Sequence, residues 1–160
     1  MLPWRKKVRM NDVELTRALE RGEIANEKFH HASHLHVAWV YLSESSAVEE
    51  AAAKMRNTLR RFAASVGKVE KYHETITLFW IRFLARVRAA SAGKKLEEIV
   101  ESNPRLLEKS FPLTYYSRDR LFSDCARMSW VEPDLKPISL DASAFCSSSS
   151  PRHTPDRPLS

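Results

Sequence analysis

Four of the six histidines fall within seven residues, in the run Phe29-His30-His31-Ala32-Ser33-His34-Leu35-His36, and a fifth lies in Lys71-Tyr72-His73-Glu74-Thr75. Imidazole titrates near neutral pH and is the commonest metal-ligating side chain, so the two runs define a candidate centre for metal binding or proton transfer. His31 and His34 stand three apart and, on a helix, share a face with Leu35, Ala38 and Leu42, which turns them inward. His73 shares a face with Ile76, Thr77, Trp80 and Leu84. The imidazoles of His31, His34 and His73 form a donor set for Zn, Fe or Mn, and three protein ligands leave a position open for water or a small-molecule ligand. On that reading Glu74 and Tyr72 are the acid–base candidates, with Thr77 beside them.

Other chemistries fit less well. No His-Glu-x-x-His occurs, so there is no warrant for peptidase chemistry. Glu27-x-x-His30 and Glu70-x-x-His73 are two Glu-x-x-His pairs, the device of ferritin-like di-iron bundles, which also need a carboxylate from each of two further helices. Glu20 supplies one, but Leu59-Arg60-Arg61-Phe62-Ala63-Ala64-Ser65-Val66 has none. The alternative from another class is a non-catalytic interaction protein, in which the histidines form a buried network that fixes helix register. His30 and His36 read as exposed or structural rather than as ligands. Cys125 reads as a small buried apolar residue, and Tyr115, Tyr116 and Trp130 as packing.

Helices must position these groups. With 3 glycines in 160 residues and apolar positions at helical spacing, the chain is expected to be all-α, a compact four- to five-helix bundle. Asn11 with Glu14 is a capping box for a first helix that stops at Gly22. Asn26 is the expected cap of a second helix to about Leu42, apolar almost all round from Leu35 and therefore buried. Ser46 and Glu49 form a capping box for a third, ending at Gly67 with Val48, Ala52, Met55, Leu59, Phe62 and Val66 on one stripe. Lys54, Arg56, Arg60 and Arg61 lie off it. A fourth runs from about Val69 to Ala90, with Arg82, Arg86 and Arg88 expected in solvent, and a fifth from Lys94 to Ser102, stopped by Asn103-Pro104. Short helical pieces follow: Arg105 to Lys109, Ser117 to Phe122 with Ser117 as cap, and Ser123 to Met128. The segment from Phe111 to Pro137 keeps too many large apolar groups to be free in water and is expected to wrap across the bundle. If the bundle runs up and down, the second and fourth helices are parallel and their histidine-bearing N-termini meet at one end.

Residues 1–10 read as a basic flexible arm, 11–139 as one helical domain, and 140–160 as a Ser/Pro-rich tail expected to be disordered. Four of the net +6 charges sit on Arg5, Lys6, Lys7 and Arg9, which leaves 20 basic against 18 acidic residues between 11 and 140. A body so nearly balanced is not a basic binding face, so nucleic acid is not the expected partner. No apolar stretch reaches the ~18 residues of a membrane span, and no signal peptide follows the basic start. Cys125 and Cys146 have no metal or redox spacing, and a cytoplasmic location is expected.

The pattern Phe29-x-His31-x-x-His34-Leu35-x-x-Ala38-Trp39-x-x-Leu42, then Lys71-Tyr72-His73-Glu74-Thr75-x-Thr77, then Tyr116-Ser117 and Pro133-Asp134-Leu135, resembles a group of small uncharacterised bacterial helical proteins. The resemblance covers about residues 11 to 137. It implies that His31, His34, His73 and Glu74 are the site residues, ahead of His30 and His36, and it brings no substrate or cofactor with it.

Overall fold

The computed structural model describes residues 11–138. The basic arm, the Ser-rich tail, Cys146 and His153 lie outside the described residues. The described chain is all-α: α1 (Asp12–Glu20), α2 (His31–Glu44), α3 (Val48–Ser65), α4 (Glu74–Ala90), α5 (Leu96–Ser102), α6 (Arg118–Leu121) and α7 (Asp124–Met128), with four single 3₁₀ turns between them. Five longer helices meet the expected number, and two short ones are added from the wrapping segment.

The starts of α2 and α4 differ from expectation in the same way. Asn26 opens a 3₁₀ turn, Asn26–Lys28, and the α-helix begins only at His31, with His30 as its cap. Val69–Lys71 is likewise a 3₁₀ turn, and α4 begins at Glu74 behind His73. Each turn tightens the chain before the helix and moves its N-cap onto a histidine, His30 or His73. Glu27 and Glu70 therefore sit on exposed turns outside the helices that carry their partner histidines, and the two Glu-x-x-His pairs do not form a di-iron cradle. The third helix starts one residue later than its expected box. Ala47 is the cap, and Ser46 instead gives its N–H and hydroxyl to Glu50 Oε1 at 3.0 and 3.1 Å. The Asn11–Glu14 box forms as expected, with Glu14 N–H on Asn11 Oδ1 at 2.8 Å.

The core forms around α4. Ten of its residues are buried, among them Phe79, Ile81, Phe83 and Leu84. It packs on α2, on α3 and on α7, while Arg86 and Arg88 stay in solvent as expected. The wrapping segment closes it. Phe79 lies 5.4 Å from the Tyr115 ring and 6.2 Å from that of Tyr116, and Trp80 stacks on Phe111 at 5.5 Å. Such offset and edge-on pairs add to the burial of the rings. Polar bonds pin the same segment. Thr75 Oγ1 donates to the Ser129 carbonyl at 2.8 Å, Tyr116 Oη to that of Val131 at 2.7 Å, and Leu135 N–H to that of Tyr115 at 2.9 Å. Arg82, expected in solvent, is covered by the Trp130 ring at 4.2 Å. Cys125 is exposed, contrary to its expected burial, because the short α7 turns the neighbouring Ala126 into the core instead.

Replacing Phe79 by Ala removes the ring that joins α4 to the wrap and leaves a cavity. The expected cost is about 3 to 5 kcal/mol in urea unfolding, with the change in intrinsic tryptophan emission at lower urea than for the wild type.

Candidate functional site

The helices α2 and α4 do run parallel. His31 packs on Trp80 with ring centroids 5.0 Å apart, and Arg88 lies over the Trp39 ring at 5.9 Å, so position on α4 exceeds position on α2 by 49 in both pairs. That offset separates the two histidine runs. His73 stands seven residues before Trp80, which is about 10 Å along a helix axis from the level of His31. The expected convergence of His31, His34, His73 and Glu74 on one centre does not occur. Parallel topology places two helix starts at one end of a bundle, and their axial stagger decides whether side chains meet.

Each of these residues has its own partners. His31 Nε2–H donates to the Leu106 carbonyl at 3.0 Å, and His34 Nδ1–H to the His30 carbonyl at 3.1 Å, with its ring 4.3 Å from that of Phe29. His73 Nε2–H donates to the Leu121 carbonyl at 2.8 Å, and its Nδ1 accepts from Ile76 N–H at 3.2 Å as the N-cap of α4. A carbonyl can only accept, so these bonds place a proton on His31 Nε2, His34 Nδ1 and His73 Nε2, and the bond from Ile76 keeps His73 Nδ1 a bare acceptor in a neutral ring. Burial pushes the pKa of His31 and His73 down and that of His34 down to about 4, against the carbonyl bonds that favour the proton.

Glu74, at the first position of α4, is buried and saturated. Oε2 accepts from Arg56 Nε at 2.9 Å and Nη2 at 2.7 Å, and Oε1 from Tyr72 Oη at 2.6 Å, with Arg60 3.7 Å away. Burial favours the protonated acid, but the hydrogen bonds of Arg56 and Tyr72 and the charges of Arg56 and Arg60 outweigh it and hold Glu74 below the usual carboxylate range. Burial and the Glu74 carboxylate push the Tyr72 hydroxyl up. Glu74 and Tyr72 thus complete each other rather than facing an open pocket.

The donor group with metal-binding spacing lies elsewhere. Among the described residues, Asp12, His36 and Glu97 each offer one ligand atom within 4.8 Å of the others. His36 is 3% exposed, and its Nδ1 lies 2.9 Å from Asp12 Oδ2. Asp12 and Glu97 belong to the first turns of α1 and α5, where the helix dipole favours carboxylates. The two acids are 85 positions apart, and acidic residues are ordinary in first helical turns, so neither spacing nor type marked them. Only the abundance of histidine pointed to the region.

No family model, curated protein or solved structure matches the chain. No described helix is long and apolar enough to cross a membrane.

The neutral histidines make stability depend on pH. Their folded pKa values lie below the unfolded value of about 6.5, so the unfolded chain binds more protons in between. Their contribution is full above about pH 6.5 and falls as the pH drops toward 4, by on the order of 1 to 3 kcal/mol, measured by urea unfolding at stepped pH. His34→Gln is expected to flatten that slope. His73→Ala loses both the cap and the Leu121 bond and is expected to cost about 2 kcal/mol at pH 7.5, whereas His73→Asn keeps a cap acceptor and recovers part of it.

Proposed function

We propose that this chain is a helical metal-binding protein in which Asp12, His36 and Glu97 hold one divalent ion, Zn, Fe or Mn, where α1, α2 and α5 meet. The observation that carries the reading is a buried imidazole nitrogen 2.9 Å from one carboxylate and within 4.8 Å of another. One nitrogen and two carboxylate oxygens suit borderline divalent ions, and the two acids balance the charge of the ion. Ligands bound at about 2.1 Å stand roughly 3 to 4 Å apart across an ion, a small side-chain adjustment from the present spacing. Three protein ligands leave room for a water or a small-molecule ligand, and such an ion would polarise whatever occupied that position. A cytoplasmic setting accords with the spacing of the two cysteines.

A second reading has its own support: the interaction protein in which the histidines serve structure. His31 and His73 each bond a carbonyl of the segment after α5, and Glu74 is saturated by Arg56 and Tyr72. The two readings separate by residue. Elemental analysis by plasma mass spectrometry, on protein purified without a His-tag or chelator, is expected to find about one equivalent of metal. The ion should be lost in Asp12→Asn/Glu97→Gln and retained in His31→Ala/His73→Ala. Metal absent from the wild type and not taken up when offered leaves the structural reading alone. Metal lost only from the His31/His73 variant overturns the assignment to Asp12, His36 and Glu97.

A further inference from the structure

The stretch Lys54-Met55-Arg56-Asn57-Thr58-Leu59-Arg60-Arg61 holds four cations and no acid. Arg56 is spent on Glu74. Lys54, Arg60 and Arg61 instead border a surface cleft of about 550 Å³ between α1, α2 and α3, within the ~300 to 1,000 Å³ that small-ligand pockets occupy. Lys54, Asn57, Thr58 and Arg61 recur at helical spacing and stand on one face of α3.

The wall opposite uses up its own charges. Arg17 is held between Glu20 at 3.1 Å and Glu44 at 2.5 Å. Tyr41 Oη donates its one proton to Glu20 at 2.5 Å and so accepts from Thr58 Oγ1 at 2.7 Å, which leaves Thr58 and Tyr41 as a fixed, buried floor. The α3 cations have weaker compensation. Lys54 reaches Glu50 only at 3.6 Å and Arg60 reaches Glu74 only at 3.7 Å, while the exposed Arg61 has no ion pair among the described residues. Two guanidinium forks and an ammonium around a polar cleft match the oxygens of a phosphate better than a single carboxylate.

We propose that this cleft binds a small soluble ligand through a phosphate group, with Lys54, Arg60 and Arg61 as its cations and Asn57 as a neutral donor. An extended polyanion fits less well, because its path across the cleft would run over Glu20 and Glu44.

The test is an amide-detected NMR titration of the full chain with pyrophosphate at about 150 mM salt, where diffuse surface attraction is largely screened. Saturable shifts centred on Asn57, Thr58 and Arg61 are expected. Lys54→Glu/Arg61→Glu should weaken binding by about ten-fold or more, while Arg86→Glu on α4 leaves it unchanged. Absence of saturation up to about 10 mM overturns the proposal, as does equal weakening by Arg86→Glu. Shifts confined to Asp12 and His36 would reveal metal stripping by the probe and also overturn it. So would binding to phosphatidylserine vesicles without binding to free pyrophosphate, because the source would then be a membrane.

Discussion

The structure depends on the burial of α4 on all but the strip that carries Arg82, Arg86 and Ala89. A helix carrying Leu78, Phe79, Trp80, Ile81, Phe83, Leu84 and Val87 within ten residues must cover most of its circumference, since each such side chain gains roughly 1.5 to 3 kcal/mol from burial. The helices α2 and α3 cover only part of it. The remainder is covered by Phe111, Tyr115, Tyr116 and the strap ending near Trp130, and this explains why so aromatic a segment follows the bundle. The polar groups near the start of α4 are then compelled to find partners inside. Thr75, His73 and Glu74 bond the strap, Leu121 and Arg56, respectively.

Histidine serves this scheme as a neutral two-ended connector. A ring with one N–H and one lone pair can cap a helix with one side and reach a distant carbonyl with the other, as His73 does between Ile76 and Leu121. His31 makes a similar long-range tie to Leu106. Both ties run from the beginning of a core helix to a carbonyl in the later part of the chain, which thereby gains a side-chain donor. Protonating either ring would add a charge in a poorly solvated place, and the depressed pKa values express that cost.

The polar chemistry is divided along α1. Asp12 at its start meets His36, and Arg17 and Glu20 toward its end meet Glu44 and Tyr41 beside the basic cleft. Eight residues separate Asp12 from Glu20, about 12 Å along the helix. A short helix of modest apolar content is therefore retained by ionic and hydrogen-bonded contacts at both ends, in addition to Leu15, Ala18 and Leu19. The two proposed sites, one for a cation and one for a phosphate, share this scaffold but no ligating residue.

Local pattern in the sequence was enough for the helical class, the Asn11 and Ser117 caps, the buried α2, the parallel course of α2 and α4, and a wrapping aromatic segment, because each follows from spacing or from burial that neighbours in the chain enforce. The same pattern singled out His31, His34, His73 and Glu74, but it carried no information on axial stagger. A helix slides past its neighbour by whole turns without changing which face is apolar, so the 49-residue offset between α2 and α4 had to come from the packing of His31 on Trp80 and of Arg88 on Trp39. The 3₁₀ turns that delay both helix starts were equally hidden, since Asn26 and Val69 are compatible with either helix type. The grouping of Asp12, His36 and Glu97 lies furthest from sequence reading: three ordinary residues on three helices meet only once the core around α4 has set where those helices stand.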